Sequence, residues 1–154
     1  MFESTLATTH DADLILKLYQ LRTDTVMRQA REWAVAEFFP ETADDVSEVL
    51  ESVGSDEWHW LRQVTSYWDM AAAFVLHGAL NAELFLDCNR EPFFLYAKFL
   101  PQLAEIRKKA PDFLVKVGQL IEHYPETQAL VEQMTHMMPQ RRQAALAAKN
   151  RPHR

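Results

Sequence analysis

The chain has 154 residues, of which 48% are hydrophobic, 11% aromatic and 25% charged, a mix that suits one globular core and excludes a disordered or collagen-like chain. Three glycines serve the whole length, too few positions of positive φ for the tight turns of an all-β protein, so helices are expected. The net charge of -6 repels phosphate backbones and anionic lipid and speaks against a general nucleic-acid or membrane-surface binder.

Thr9 or Asp11 can cap a first helix, in which Leu14, Leu18 and Leu21 recur at helical spacing up to about Arg22. Thr23 and Asp24 open a second, with Val26, Ala30, Trp33 and Ala34 as its apolar stripe, ending before Pro40. Thr42 with Asp45 forms a capping-box pattern, followed by Val46, Val49, Leu50 and Val53 before Gly54. Ser55 with Asp56 and Glu57 starts the longest helix, expected over 55–77 and stopped by Gly78. Its apolar residues occupy more than one side, which makes it the central helix. Asn81 caps a short helix through Leu86, and Pro92 suits the first turn of the next, which meets Pro101 and should kink near Ala97 or break. Phe113, Val117, Leu120, Ile121 and Tyr124 trace a further stripe that ends at Pro125. A last helix is expected from Glu126 to Met138, with Pro139 setting off a tail, 139–154, that is helical or disordered. The predicted fold class is all-α, a single-domain irregular bundle of about six to eight helices, with 1–138 as the domain.

Charge is unevenly spread. All 22 acidic residues precede Pro139, against 11 of the 16 Lys and Arg, whereas the last 16 residues carry Arg141, Arg142, Lys149, Arg151 and Arg154 and no acid. Glu41 to Glu57 holds seven acids and no base, so tail and acidic stretch can attract each other within a chain or between subunits. Cys88 is the one cysteine, and the opening MFESTLATTHDAD has neither a basic nor an apolar leader region, so the cytoplasm is the expected location. The apolar stretch Met70–Leu76 falls well short of a membrane span.

The segments LYQLRTDTVMRQAREW (18–33) and VTSYWDMAAAFVLHGALNAELF (64–85), followed by a helix ending in EIRKK (105–109), resemble a family of uncharacterised bacterial helical domains classed only as a domain of unknown function. The resemblance spans roughly 14–109 and implies a small, soluble α-helical protein with no assigned activity.

No nucleophile elbow, P-loop or dinucleotide fingerprint is present, and the sequence leans against an enzyme. No cofactor or metal is expected: Asp56 with His59, and Glu132 with His136, place two ligands each on a helix face, and two do not make a site. The favoured function is a non-enzymatic interaction or scaffold module, a homo-oligomer or partner of another protein. The alternative is a small-ligand or catalytic pocket on the central helix, built from the polar row Arg62, Ser66, Asp69 and His77 together with Tyr67. Against that pocket stands a purely structural reading, in which Asp69 pairs with Arg22, Arg28 or Arg31.

Overall fold

The computed structural model describes residues 6–152, whose regular structure is all helical. The elements are α1 (Thr9–Thr23), α2 (Thr25–Glu32), α3 (Ala43–Glu51), α4 (Asp56–Leu76), α5 (Ala82–Cys88), α6 (Glu91–Phe99), α7 (Leu103–Lys109), α8 (Val115–His123) and α9 (Pro125–Lys149). Pro101 turns the junction of α6 and α7 into one 3-10 turn, Leu100–Gln102, so those two read as halves of a single kinked helix. No helix among the described residues is long and apolar enough to cross a membrane.

Local side-chain caps fix where most helices begin. Asp24 accepts from the Val26 and Met27 N–H groups, Thr42 and Asp45 form the expected box, and Ser55 and Asn81 accept from Trp58 and Leu84. The first helix departs from expectation, because Thr8 is its N-cap and Asp11 its third residue. One Asp11 oxygen accepts from the Thr8 N–H at 2.7 Å while the other accepts from the N–H of Asn81, the N-cap of α5, at 2.8 Å. Those backbone bonds hold its carboxyl below the usual range. Leu21 is also not inward but 54% exposed. The chain bends at Asp24, and Arg22 takes the inner position, its guanidinium 5.4 Å from the Trp68 ring.

After α2 the helix widens into a π turn, Trp33–Glu37, in which the Phe38 N–H donates to the Trp33 carbonyl at 2.9 Å. That five-residue step stacks the Phe38 ring on Trp33, centroids 4.6 Å apart. The central helix α4 runs from its Ser55 cap to His77, with Gly78 at φ 75° ending it. It buries Leu61, Val64, Tyr67, Trp68, Ala71, Ala72 and Val75, and both α2 and α8 pack on it. Phe85, Phe93 and Phe99 are fully buried as well, with the Phe85 ring centroid 6.5 Å from that of Trp68.

α9 lies along α6 and α8 and does not stop at Pro139. Proline removes one ladder bond, but Pro139 is exposed, so water can reach the carbonyl left over. Beyond it, Arg142 donates to the Pro40 carbonyl at 3.0 Å and Arg141 lies 5.9 Å from the Phe94 ring. Those ties hold the last turns as helix.

Candidate functional site

Helices α3 and α4 and the loop from α7 to α8 enclose an open groove of about 730 Å³. Arg62, Ser66 and Asp69 of the expected polar row line it, at i, i+4 and i+7 on α4. Its floor includes Trp58, one turn before Arg62, whose guanidinium stacks 4.4 Å from the Trp58 ring. Glu51 on α3 and Lys109 at the end of α7, both lining residues, pair at 3.2 Å.

Tyr67 and His77 are not part of this groove. Tyr67 is buried and its hydroxyl donates to the Leu18 carbonyl on α1, and burial pushes its phenol up to about 12. His77 is the exposed C-cap of α4. Eight helical residues beyond Asp69 also bring it about 80° off the line of the row.

The loop that forms one wall is held by its neighbours. Leu114 occupies the N-cap of α8 in the left-handed region, φ 51°, and leucine has no side-chain acceptor for the free N–H groups there. Asp69 supplies one from α4: its Oδ1 accepts from the Val117 N–H at 3.0 Å. From below, Arg107 donates to the carbonyls of Phe113 at 3.1 Å and Leu114 at 3.2 Å. Gly118 leaves the space this needs, since a Cβ there would stand 3.3 Å from Arg107 Nη2 and 3.1 Å from the Tyr96 hydroxyl. The strained leucine is thus fixed from two helices.

Asp69 therefore has a structural partner, but not the arginines expected from sequence. Arg31 binds Glu91, Arg22 lies on Trp68, and Arg28 reaches the Thr23 carbonyl. Asp69 sits on the flank of α4 that faces α8. Burial pushes its carboxyl above the usual range, opposed by the N–H groups of Val117 and Lys116 and by Arg107. A raised carboxyl stabilises the fold fully below its ordinary value near 4 and loses that contribution as pH rises through the raised one. Asp69→Ala, which removes the cap, is expected to cost about 1–2 kcal/mol in urea unfolding at pH 7. Asp69→Asn keeps an accepting oxygen without the buried charge and should stay within about 0.5 kcal/mol of the parent.

Two of the tail cations face the acidic stretch. Arg142 reaches Pro40 and acts on Asp45, whose carboxyl is held low chiefly by the Glu41 and Thr42 N–H groups, and Lys149 lines a small groove with Glu37 and Glu41. Arg141 lies on Phe94, Arg151 is exposed, and Arg154 lies outside the described residues. Among the described residues no three His, Cys, Asp or Glu side chains are grouped to hold a metal.

Sequence reasoning missed two charges, one partly buried and one buried. Glu91 accepts two bonds from Arg31 Nε at 3.0 and 3.1 Å, one from Arg31 Nη2 at 2.9 Å and one from the Trp68 indole at 2.8 Å. Lys98 is 5% exposed and donates to the carbonyls of Ala34, Val35 and Phe38, closing the π turn. A lysine inside the run Phe93–Phe99, otherwise aromatic and aliphatic, was the available signal.

Fold and site together define an all-α domain whose central helix carries an open, mixed-charge groove. A family model described as "Domain of unknown function (DUF4760)" matches residues 7–124, and the chain belongs to that family. The match reaches past the 14–109 of the sequence resemblance to include α8, the groove-wall loop and Asp69's partner Val117, while α9 lies beyond it. No curated protein and no solved structure matches the chain.

Proposed function

We propose that the protein is a non-enzymatic binding module that associates with a second protein chain, in the first instance another copy of itself, through the groove between α3, α4 and the α7–α8 loop. The observation that supports this reading is the wall fixed by Asp69 and Arg107 around a strained Leu114. A surface ordered before contact gives up little entropy on binding. The exposed charges of Arg62, Lys109 and Glu51 around Trp58 suit a polar rim about an aromatic anchor. The lone, exposed Cys88 fits a reducing cytoplasm. A second reading, a small polar ligand held between Arg62 and Asp69, draws on the same groove, where opposite charges face one space with Ser66.

Native mass spectrometry separates the two. Multiples of 17.9 kDa that fall to single chains in Trp58→Ala are expected for self-association through the groove. A small excess mass, lost on denaturation and absent from Arg62→Ala, supports the ligand instead, and a bare single chain at all concentrations contradicts the homo-oligomer.

A further inference from the structure

Helices α6 and α9 leave between them a second groove, of about 310 Å³, that shares no residue with the first. α9 presents Leu130, Met134, Met137 and Arg141 to it, at i, i+4, i+7 and i+11 along one face. α6 contributes Phe94, and Arg90 stands one turn before it. Among the described residues Gln133 completes the lining, and none of these residues brings a carboxylate to the space.

Two guanidinia stand beside this apolar lining. Arg141 lies 5.9 Å from the Phe94 ring, and Arg90, at i-4 from Phe94, is on the same side of α6. Neither has a carboxylate partner among the described residues. Glu91 does not neutralise Arg90, because it turns away to Arg31 and Trp68. A chain of net charge -6 thus keeps two unpaired cations beside an apolar channel. The complement of that surface is a negative head on an apolar body: guanidinium takes carboxylate in paired hydrogen bonds, and methionine adapts to an aliphatic chain. The volume is at the small end for ligand sites, about 300–1,000 Å³.

We propose that the groove between α6 and α9 binds a small anionic amphiphile, a carboxylate on an aliphatic chain of roughly eight to twelve carbons, with Arg90 and Arg141 on the carboxylate and Phe94, Met134 and Met137 along the chain. This site is independent of the groove around Arg62 and Asp69, and neither stands or falls with the other.

The test is a titration of the full chain, labelled with ¹³C at the methionine methyls, with decanoate, and separately with decan-1-ol. Saturable shifts at Met134 and Met137, with Met27 and Met70 unmoved, are expected for decanoate, with binding at least about tenfold weaker for decan-1-ol. The double variant Arg90→Gln/Arg141→Gln should weaken decanoate by about tenfold or more. Equal affinity for acid and alcohol, an unchanged affinity in the double variant, or shifts spread to Met27 and Met70 as for a detergent would each overturn the proposal. So would concentration-dependent shifts at Met134 and Met137 without decanoate, which would make a second copy the occupant. Should the double variant fail to fold, the comparison of acid with alcohol on the parent chain decides alone.

Discussion

Glu91→Ala is expected to lower the unfolding free energy by about 2–4 kcal/mol, because it breaks a partly buried ion pair and an indole hydrogen bond together. The Glu91 side chain is 14% exposed and that of Arg31 28%, so water only partly replaces the lost partner. Arg31, whose guanidinium the Glu91 bonds hold above its ordinary value, would be left without its carboxylate. Trp68 is fully buried and would lose the acceptor for its N–H. Glu91→Gln retains an oxygen for the indole and should fall between the parent and the alanine variant. Urea unfolding gives the energies, and near-ultraviolet circular dichroism reports whether Trp68 keeps its setting.

Lys98→Met should cost about 2–3 kcal/mol at pH 7, since methionine fills the space but leaves the Ala34, Val35 and Phe38 carbonyls without their donor. The effect is also expected to grow with pH. Burial pushes the Lys98 ammonium down to about 7, with Glu91 acting in the opposite direction. From there to the ordinary lysine value near 10.5 the unfolded chain holds a proton that the folded one has shed, so stability rises with pH in that window. The contribution is fully present above the ordinary value and lost as pH falls through about 7. One such group gives a slope of at most about 1.4 kcal/mol per pH unit. The methionine variant lacks it, so the gap between parent and variant should widen from pH 7 to pH 9. A gap that stays constant would mean that Lys98 remains an ammonium throughout, held by its three carbonyls and by the Phe39 ring 4.0 Å away.

What could be read from the sequence was whatever depends on neighbours a few residues apart. Thr42 with Asp45, Asp24, Ser55 and Asn81 are caps that act within one turn, and each starts the helix expected of it. Ser55 and Gly78 likewise bracket the central helix, observed as Asp56–Leu76 between its caps. Pro101 could be read as an interruption for the same reason. The cap of the first helix, Thr8 in place of Thr9 or Asp11, and the place of His77 off the polar row were local misreadings, whereas the partners of the charged side chains lie far along the chain. Asp69 finds the N–H of Val117, 48 positions on, and Lys98 finds carbonyls about 60 positions back. Nothing in a local pattern distinguishes an aspartate facing α2 from one facing α8, because that depends on how the helices pack. Arg62 and Asp69 could be placed on one line of α4 from spacing alone, whereas the loop that makes their surface a groove is brought there by α7 and α8. Pro139 misled in the other direction, since its local cost of about 3 kcal/mol is outweighed by the packing of α9 along α6 and by Arg142 on Pro40.

The central claim is that the groove wall is ordered before anything binds, and amide hydrogen exchange at Val117 tests it most directly. With Asp69 accepting its proton, the Val117 N–H of the free protein should exchange as slowly as the interior amides of α8, and Asp69→Ala should bring it to the fast rate of an uncapped first turn. Rapid exchange of Val117 in the parent chain, unchanged in Asp69→Ala, would contradict the claim and leave the groove without its fixed wall.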